Sequence, residues 1–417
     1  MEKYKIIGSH PLTGEIKVVG AKNAALKILA ASILSEEICR VSNVPVIEDI
    51  KRMAEILASL GAKITWEEST LTIDPSGTKK SSPDPELTKK LRSSIMLAGP
   101  LLAKFGEVTM NHPGGCIIGQ RPIDLFLDGF RALSAEIFEH GESFTLKAKK
   151  LKGAKIVLPK VSVTVTESLM MTACLAEGIT TIVNAAMEPE IPALADYLNK
   201  YGAKITGAGT PWIIIEGVNK LSAGEYELIP DRIEAGSFIM LGLATNSQIK
   251  VTNCQPEHLE TVLETLKKAG ADLEIGPDYV VTKPSFLRGT AIQTHEYPGF
   301  PTDLQAPFTV LMTQAKGRSL IHETIFEGRL FYTDKLSLMG ADIIMCDPHR
   351  VIVEGGTKLR GKKLESPDLR AGMALIIAGL SAEGETVIDN IYQIERGYEN
   401  IVERLKNLGA KVEKINE

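Results

Sequence analysis

The strongest constraint on the fold is an internal repeat of about 70 residues. An amphipathic stretch that ends in Gly-Ala and leads into a short apolar stretch recurs as EILASLGAKIT (55–65), ADYLNKYGAKIT (195–206), ETLKKAGADLE (264–274), DKLSLMGADII (334–344) and ERLKNLGAKVE (403–413). A sixth copy, DGFRALSAEIF (128–138), has Ser134 in place of the glycine. The marker positions 61, 134, 202, 270, 340 and 409 are spaced by 73, 68, 68, 70 and 69 residues. Such regular spacing indicates six copies of one structural unit.

Each copy predicts the same order of secondary structure. In the fourth copy, one helical face at the spacing i, i+3, i+4 and i+7 is formed by Leu259, Val262, Leu263 and Leu266. The glycines that follow such helices, Gly202 and Gly270 among them, occupy the C-cap position that favours a positive φ. Short strands and a second helix come next. The second helices (ALKILAASIL, SIMLAGPLLA, LMMTACLA and AGMALIIAGL) are apolar nearly all round, which predicts that they are buried. These elements predict an α/β fold built from six βαβαββ-type repeats.

The two ends of the chain suggest the domain layout. Five copies have a second strand after the Gly-Ala strand, but the last copy, AKVEKINE, stops before one. A matching strand, YKIIG, stands at residues 4–8. We therefore expect residues 1–21 to complete the sixth unit. This layout predicts one domain over 22–229 and a second formed by 1–21 plus 230–417, with three repeats each and a ligand cleft between them.

Composition excludes several classes of protein. Lys and Arg total 47 against 52 Asp and Glu, a net charge of −5, which argues against binding nucleic acid by bulk charge. No apolar run has the length of a membrane span and the N-terminus has no signal-like apolar segment, so we expect a cytoplasmic protein. The five cysteines are scattered without a CxxC pair, and the seven histidines include no HxxxH pair. Neither a disulfide framework nor a metal site is indicated.

Charged side chains recur where the chain enters each buried helix. The residues at these junctions are Lys22, Arg92, Lys160, Asp231, Arg232, Asp303, Asp368 and Arg370. The three aspartates follow Pro or Pro-Thr, so each has a purely structural interpretation as a helix N-cap. Lys or Arg in a first helical turn opposes the helix dipole, whereas an anion there is stabilised by the free N–H groups and the added cation. The junctions therefore favour a phosphate or carboxylate ligand in the cleft.

A second candidate feature is the glycine-rich stretch HPGGCIIGQRPIDL at 112–125. Its composition predicts a loop, and Cys116 stands five residues before Arg121. A cysteine among glycines and near a cation fits a reactive thiol, but the alternative of an inert buried cysteine stays open. The sequence contains no Walker A motif, and GAG at 207–209 lacks the dinucleotide-binding pattern.

Several motifs together resemble one enzyme family. They are GAKNAALKILAASIL (20–34), RSSIMLAGPLLAKFG (92–106), PGGCIIGQRPIDL (113–125), EPEI (188–191), GFPTDLQ (299–305), FEGR (326–329), DLRAGMALIIAGL (368–380) and ERGYENIVERLKNLGA (395–410). Over essentially its full length the chain is similar to the UDP-N-acetylglucosamine 1-carboxyvinyltransferase family. The resemblance implies a two-domain inside-out α/β barrel. It also implies enolpyruvyl transfer from phosphoenolpyruvate to the 3′-hydroxyl of UDP-N-acetylglucosamine with release of phosphate, the first committed step of peptidoglycan synthesis.

The resemblance assigns residues by position. Cys116 would be the general acid for the methylene carbon, Asp303 would take the proton of the attacking hydroxyl, and Lys22 and Arg396 would complete the catalytic set. Phosphoenolpyruvate would be held by Lys22, Asn23, Arg121, Arg370 and Arg396. UDP-N-acetylglucosamine would be bound by Asn23, Arg92, Arg121, Pro122, Ile123, Asp124, Leu125, Lys160, Ser162, Val163, Asp303, Ile325, Glu327 and Arg329. The partners implied are these two small molecules, with no cofactor, metal, nucleic acid or membrane. The oligomeric state stays open and is compatible with a monomer.

Three positions depart from the family pattern. Gly328 and Ser168 stand where the family commonly has Asn, and Leu304 stands where it usually has Met; these differences fit one of two paralogues.

Three alternative functions stay open. The sister enzyme 5-enolpyruvylshikimate-3-phosphate synthase shares the expected fold and reaction, but it lacks the PGGC loop and has a Ser-Lys-Ser junction in place of Ala21-Lys22-Asn23. RNA binding or end-processing and an inactive scaffold are the remaining alternatives.

Overall fold

The computed structural model describes residues 2–112 and 122–416, and the chain divides into two compact units. The terminal unit contains the described residues up to Val19 and from Pro230 onwards. The inserted unit contains the described residues from Gly20 to Ile229. Each unit has its own hydrophobic core.

Three sheets are formed by the described residues of the inserted unit. The first has the strand order Glu225–Glu227, Cys39–Ser42, Thr70–Asp74 and Lys63–Glu67. The second has the order Lys155–Val157, Ile179–Val183, Trp212–Glu216 and Lys204–Thr206. The third has the order Glu107–Asn111, Ser143–Lys147 and Glu136–His140.

The described part of the terminal unit also forms three sheets. The first has the order Lys363–Glu365, Glu385–Asp389, Glu2–Ile7 and Lys411–Asn416. The second has the order Thr13–Lys17, Gln248–Thr252, Tyr279–Thr282 and Leu273–Ile275. The third has the order Ala291–Gln293, Gly317–His322, Arg350–Gly355 and Asp342–Asp347.

One pairing pattern recurs in all five four-stranded sheets of the described chain. The first two strands in each order are parallel and the remaining neighbours are antiparallel. Parallel neighbours need a crossover, and in the sheet that contains Lys155–Val157 and Ile179–Val183 the crossover is the helix Val163–Ala173. The predicted strand near the N-terminus is confirmed, because Ile6 lies opposite Val412 of the last strand.

The helices complete both units. In the inserted unit they are Lys22–Ala31, Glu48–Leu60, Pro85–Lys90, Ala98–Phe105, Asp124–Ala132, Val163–Ala173 and Glu190–Lys200, with 3-10 turns at Ser32–Leu34, Pro75–Gly77 and Arg92–Leu97. In the terminal unit they are Arg232–Ala244, Glu260–Lys268, Gln305–Gln314, Thr333–Leu338, Leu369–Ser381, Tyr392–Glu395 and Ile401–Asn407, with 3-10 turns at Pro256–Leu259 and Thr302–Leu304. None of these helices is long and apolar enough to cross a membrane.

The apolar second helices are buried, as predicted. Every residue of Arg232–Ala244 is buried, and this helix packs against Gln305–Gln314 and Leu369–Ser381, which are also almost entirely buried. The predicted positive φ is confirmed at Gly202 and Gly270. Buried helices packed with mixed sheets make the chain an α/β protein, as the sequence predicted.

Candidate active site

Three of the predicted site residues form one ionic cluster in the terminal unit. Asp303 Oδ1 lies 2.9 Å from Arg329 Nη1. Asp303 Oδ2 lies 2.9 Å from Arg370 Nε and 2.8 Å from Arg370 Nη2. Both arginine side chains are buried, at 4% and 6% exposure, whereas 27% of the Asp303 side chain remains exposed. The Asp303 side chain is thus the most exposed of the three in this charge cluster.

Local structure explains how these side chains meet. Asp303 lies in the 3-10 turn Thr302–Leu304, immediately before the buried helix Gln305–Gln314. Arg370 lies in the first turn of helix Leu369–Ser381. The Asp368 side chain caps that helix by accepting the backbone N–H groups of Arg370 and Ala371, at 2.8 and 3.0 Å. The cap fixes the position from which Arg370 reaches Asp303.

The N-cap interpretation of the three junction aspartates holds for two of them. Asp231 accepts the N–H groups of Ile233 and Glu234, and Asp368 caps its helix in the same way. For Asp303 the interpretation is wrong, because Pro301 and Leu304 occupy the cap positions at this junction and neither has a side-chain cap. The Asp303 carboxylate instead pairs with the two arginines.

The charges around Asp303 set its proton affinity. Burial alone raises the pKa of this carboxyl group, but the guanidinium groups of Arg370 and Arg329 outweigh burial and hold its pKa well below the usual range. Burial lowers the pKa of Arg370, but Asp303, Tyr398 and Asp231 together outweigh burial and raise it. While both arginines are in place, Asp303 is an anion and a weak base. Withdrawal of one arginine toward another anion would increase its basicity.

A second layer of polar groups surrounds the cluster. Arg329 Nη1 also donates to Thr302 Oγ1 at 2.9 Å, and Thr302 Oγ1 donates to Glu323 Oε2 at 2.8 Å. On the other side, Arg370 Nη1 lies 3.5 Å from the hydroxyl of Tyr398, which is 3.2 Å from that of Ser237. The guanidinium of Arg329 also lies over the ring of Phe326, 5.3 Å from its centroid. Each arginine is therefore held by more than its contact with the aspartate.

The inserted unit presents a separate cationic residue. Lys22 is the first residue of helix Lys22–Ala31, and its Nζ lies 2.7 Å from Asp49 Oδ2. Asn23 follows it in the first helical turn and is half-buried. Ala21 at the N-cap provides no side-chain hydrogen bond to the helix. Lys22 thus adds a cation to a helix N-terminus, which is the arrangement that favours an anionic ligand.

The other described site residues lie as follows. Arg92 begins the 3-10 turn Arg92–Leu97, and Asp124 begins helix Asp124–Ala132. Ser162 and Val163 stand at the start of helix Val163–Ala173. The exposed residues of this set are Pro122, Asp124, Lys160 and Glu327, and the buried one is Ile123. The half-buried residues are Arg92, Leu125, Ser162, Val163, Ile325 and Arg396. Arg396 donates to Gln393 Oε1 at 3.0 Å.

The predictions for Cys116 and Arg121 lie outside the described residues. In the described ranges, no group of three or more His, Cys, Asp or Glu side chains could hold a metal ion. The structure also identifies residues that the sequence did not indicate, namely Asp49 beside Lys22, Thr302 beside Arg329 and Glu323 beside Thr302. Thr302 lies inside the GFPTD motif, so this motif could have identified it as a site residue. Apart from their charge, nothing in the sequence distinguished Asp49 and Glu323.

Comparisons with known proteins agree with this chemistry. The family model for EPSP synthase (3-phosphoshikimate 1-carboxyvinyltransferase) matches residues 6–405. UDP-N-acetylglucosamine 1-carboxyvinyltransferase 1 of Carboxydothermus hydrogenoformans is 46% identical over 417 residues, covering 100% of this chain and 99% of that protein. UDP-N-acetylglucosamine 1-carboxyvinyltransferase of Halothermothrix orenii is 46% identical with 100% of both chains covered, and that of Coxiella burnetii is 44% identical with 100% of this chain and 96% of the relative covered.

Solved structures provide a second comparison. The enolpyruvyl transferase NikO from Streptomyces tendae superposes with a TM-score of 0.90 at 23% identity, covering 100% of this chain and 99% of that one. EPSP synthase from Acinetobacter baumannii gives a TM-score of 0.78 at 20% identity, with 100% of both chains covered. These two likenesses concern the fold. Together with the full-length identity of 44–46% to its relatives, they lead to one conclusion: the chain belongs to the EPSP synthase family and, within it, to the UDP-N-acetylglucosamine 1-carboxyvinyltransferases.

Proposed function

We propose that the chain transfers the enolpyruvyl group of phosphoenolpyruvate to the 3′-hydroxyl of UDP-N-acetylglucosamine and releases phosphate, as the first committed step of peptidoglycan synthesis. The observation that carries this function is the 46% identity, over the full length of both chains, to relatives with that enzyme name. We further propose that each unit is an inside-out α/β barrel of three βαβαββ repeats, as the domain over 22–229 and the domain formed by 1–21 plus 230–417. The recurrent order of strands supports this architecture.

Phosphoenolpyruvate is small and highly charged, so its site needs several fixed cations. We assign this role to Lys22, Arg121, Arg370 and Arg396, with Asn23 beside them. Lys22 and Arg370 each stand in the first turn of a helix and are each paired with a carboxylate in the described chain. An incoming phosphate or carboxylate can therefore replace an existing anion, so that no buried cation has to lose its partner without compensation.

The reaction needs a proton donor and a proton acceptor in different places. The 3′-oxygen attacks C2 of phosphoenolpyruvate while its proton passes to Asp303, and Cys116 delivers a proton to C3. The resulting tetrahedral intermediate then loses a proton from C3 and expels phosphate, which restores the double bond. Asp303 is a weak base while two arginines hold it. Contact of Arg370 with phosphoenolpyruvate would weaken that hold and would make Asp303 basic when the substrates are bound.

The sugar nucleotide would share Asn23, Arg121 and Asp303 with this chemistry. Its other assigned residues are Arg92, Pro122, Ile123, Asp124, Leu125, Lys160, Ser162, Val163, Ile325, Glu327 and Arg329. These residues come from both units, so the function requires the two units to act on one pair of substrates. No cofactor is needed, because addition and elimination use only proton transfer and fixed charge. We place the reaction in the cytoplasm, since both substrates are charged metabolites that do not cross a bilayer unaided.

The test is phosphate release from phosphoenolpyruvate with UDP-N-acetylglucosamine, with shikimate 3-phosphate and with no acceptor. We expect release only with UDP-N-acetylglucosamine, and loss of that release after treatment with fosfomycin, an epoxide that alkylates the loop thiol of this family. Release only with shikimate 3-phosphate would identify the sister activity. Absence of release with either acceptor would refute enolpyruvyl transfer.

A matched pair of variants tests the assigned base. Asp303→Asn keeps the size of the side chain but removes its charge, so we expect a loss of about 10²–10⁴ in turnover, the usual contribution of a general base. Binding of UDP-N-acetylglucosamine, measured by calorimetry, should persist. Asp342→Asn alters an exposed aspartate on a strand of the same unit and should leave turnover unchanged.

A further inference from the structure

A carboxylate outside the assigned site is hydrogen-bonded on both of its oxygens. Glu323 is fully buried and follows the strand Gly317–His322. Its Oε1 accepts the backbone N–H groups of Ile325 and Phe326, at 2.8 and 3.1 Å. Its Oε2 accepts the hydroxyl of Thr302 at 2.8 Å. One side chain therefore joins the loop after the strand to the turn that carries the proposed base.

The carboxylate fixes the direction of the Thr302 hydroxyl. Arg329 can only donate hydrogen bonds, so Thr302 Oγ1 accepts from it and directs its own proton to Glu323. The lone pairs of Thr302 Oγ1 then face Arg329, whose Nη1 lies 2.9 Å away. The same nitrogen lies 2.9 Å from Asp303 Oδ1. A directed chain thus runs from Glu323 through Thr302 and Arg329 to Asp303.

The backbone at Glu323 has supports of its own. Its N–H donates to the carbonyl of His349 at 2.8 Å, and its carbonyl lies 2.9 Å from His349 Nδ1. Loss of the carboxylate would leave these two contacts in place. The side chain is therefore available for a task other than fixing the strand.

We propose that Glu323 and Thr302 are a positioning pair for the reaction, an inference that rests on the proposed function. Their hydrogen bonds hold Arg329 against Asp303 and hold the loop at Ile325 in the conformation that receives the sugar nucleotide. Neither residue touches the reacting atoms. Both act through Arg329 and the loop, so their loss should affect turnover and the KM for UDP-N-acetylglucosamine more than the KM for phosphoenolpyruvate.

Three variants separate this role from simple packing. Thr302→Val keeps the shape of the side chain but removes the hydroxyl, whereas Thr302→Ser keeps the hydroxyl. Glu323→Gln keeps the acceptor for the loop N–H groups but presents an amide donor to Thr302. The threonine must then turn its proton toward Arg329, so that two donors face each other. The matched control is Thr333→Val, which loses a buried hydroxyl of the same unit that donates to the carbonyl of Leu330.

We expect Thr302→Val and Glu323→Gln to lower kcat/KM for UDP-N-acetylglucosamine by roughly 10- to 100-fold, the value of one hydrogen bond to a charged group. Thr302→Ser should recover activity to within about threefold, and Thr333→Val should match the wild type. Because the two residues act on one arginine, the double variant should be no worse than the more impaired single variant. Release of Arg329 should also raise the pKa of Asp303, so that the ratio of variant to wild-type kcat/KM falls as the pH decreases.

Several results would overturn the inference while leaving the proposed function intact. They are wild-type kinetics in Thr302→Val, equal impairment of Thr302→Val and Thr302→Ser, and additive losses in the double variant. A wild-type enzyme that releases no phosphate with UDP-N-acetylglucosamine would instead overturn the proposed function. A thermal unfolding curve for each variant shows whether it is folded, and Thr302→Ser provides the comparison if Glu323→Gln does not fold.

Discussion

Arg370 contacts a single oxygen of Asp303 with two of its nitrogens, Nε at 2.9 Å and Nη2 at 2.8 Å. The other oxygen is left to Arg329. Both oxygens of the proposed base are therefore paired with an arginine, and the pKa of Asp303 is low although burial alone would raise it. The basicity of Asp303 depends on what Arg370 contacts, which connects phosphoenolpyruvate binding with activation of the acceptor hydroxyl.

The pH profile should expose this relationship in Arg370→Gln. A base whose pKa is depressed stays ionised as the pH falls, so the wild type should show no loss of activity from Asp303 protonation in the usual assay range. With Arg370 removed, burial is opposed only by Arg329, and the pKa of Asp303 rises. We expect the ratio of variant to wild-type kcat/KM to fall as pH decreases. The ratio is used because the titration of phosphoenolpyruvate itself affects both enzymes and cancels.

The control for that profile is Arg318→Gln. Arg318 belongs to the same unit, but its side chain is 71% exposed and pairs with Glu354 on the surface. Its ratio to wild type should be independent of pH. A flat ratio for Arg370→Gln as well would show that Arg370 does not set the proton affinity of Asp303.

A second prediction concerns the buried pair formed by Arg404 and Glu234. The two guanidinium nitrogens lie 2.7 and 2.9 Å from the carboxylate oxygens, and one of them also donates to the carbonyl of Lys17 at 2.7 Å. The Glu234 side chain is 2% exposed, so Arg404→Met leaves a buried carboxylate without its partner. We expect unfolding by urea to show a loss of about 3–5 kcal/mol.

The exposed pair of Arg318 and Glu354 provides the comparison for this loss. Arg318→Met should cost less than about 1 kcal/mol, because an ion pair in water contributes little. If the two variants lose similar stability, the burial of the Arg404 pair is not what makes it important.

The third prediction concerns Glu167 of helix Val163–Ala173, which contacts Lys27 of helix Lys22–Ala31. Its carboxylate is fully buried, 3.3 Å from Lys27 Nζ. Burial raises its pKa to about 8; Lys27 opposes the shift, and the nearby Glu190 and Glu188 add to it. Between the usual pKa and this value the folded chain keeps a proton that the unfolded chain loses. The free energy of unfolding should therefore fall as pH rises from about 4.5 to 8, by up to about 1.4 kcal/mol per pH unit.

Glu167→Gln tests this dependence, because glutamine resembles the protonated acid and does not titrate. The stability of the variant relative to wild type should increase with pH over that window, as measured by urea unfolding at several pH values. Glu264→Gln, at an exposed residue paired with Lys267, should show the same pH dependence as the wild type between about pH 4.5 and 8. Parallel curves for Glu167→Gln and wild type would mean that Glu167 is already ionised when folded.

These residues also mark the limit of prediction from sequence. Comparison of the repeat copies predicted the strand near the N-terminus, and the apolar composition of the second helices predicted their burial. The same local pattern, an aspartate after Pro or Pro-Thr, predicted a cap at Asp303 as it did at Asp368. It failed at Asp303 because Arg370, 67 positions away, pairs with that carboxylate instead. The buried pair of Lys27 and Glu167 could not be predicted from the sequence either, since each charge alone is typical of a solvated helix face.

The fourth prediction uses the one repeat copy that lacks the marker glycine. Ser134 occupies that position and has a φ of 72°, whereas Gly202, at the equivalent position, has a φ of 101°. A left-handed conformation costs a residue with a Cβ about 1–2 kcal/mol, and glycine avoids most of this cost. Part of the gain is offset by the greater freedom of glycine in the unfolded chain. We expect Ser134→Gly to raise the free energy of unfolding by about 0.5–1 kcal/mol.

The reverse change at the equivalent position tests whether backbone conformation is the cause. A Cβ added at Gly202 would meet no atom within 4 Å, so Gly202→Ser introduces conformational strain without a clash. It should destabilise the protein by an amount similar to the gain from Ser134→Gly, as measured by urea unfolding of both variants. A loss of stability in Ser134→Gly would mean that the serine side chain makes a contribution larger than its backbone strain. The missing glycine would then be an adaptation of that repeat and not a tolerated defect.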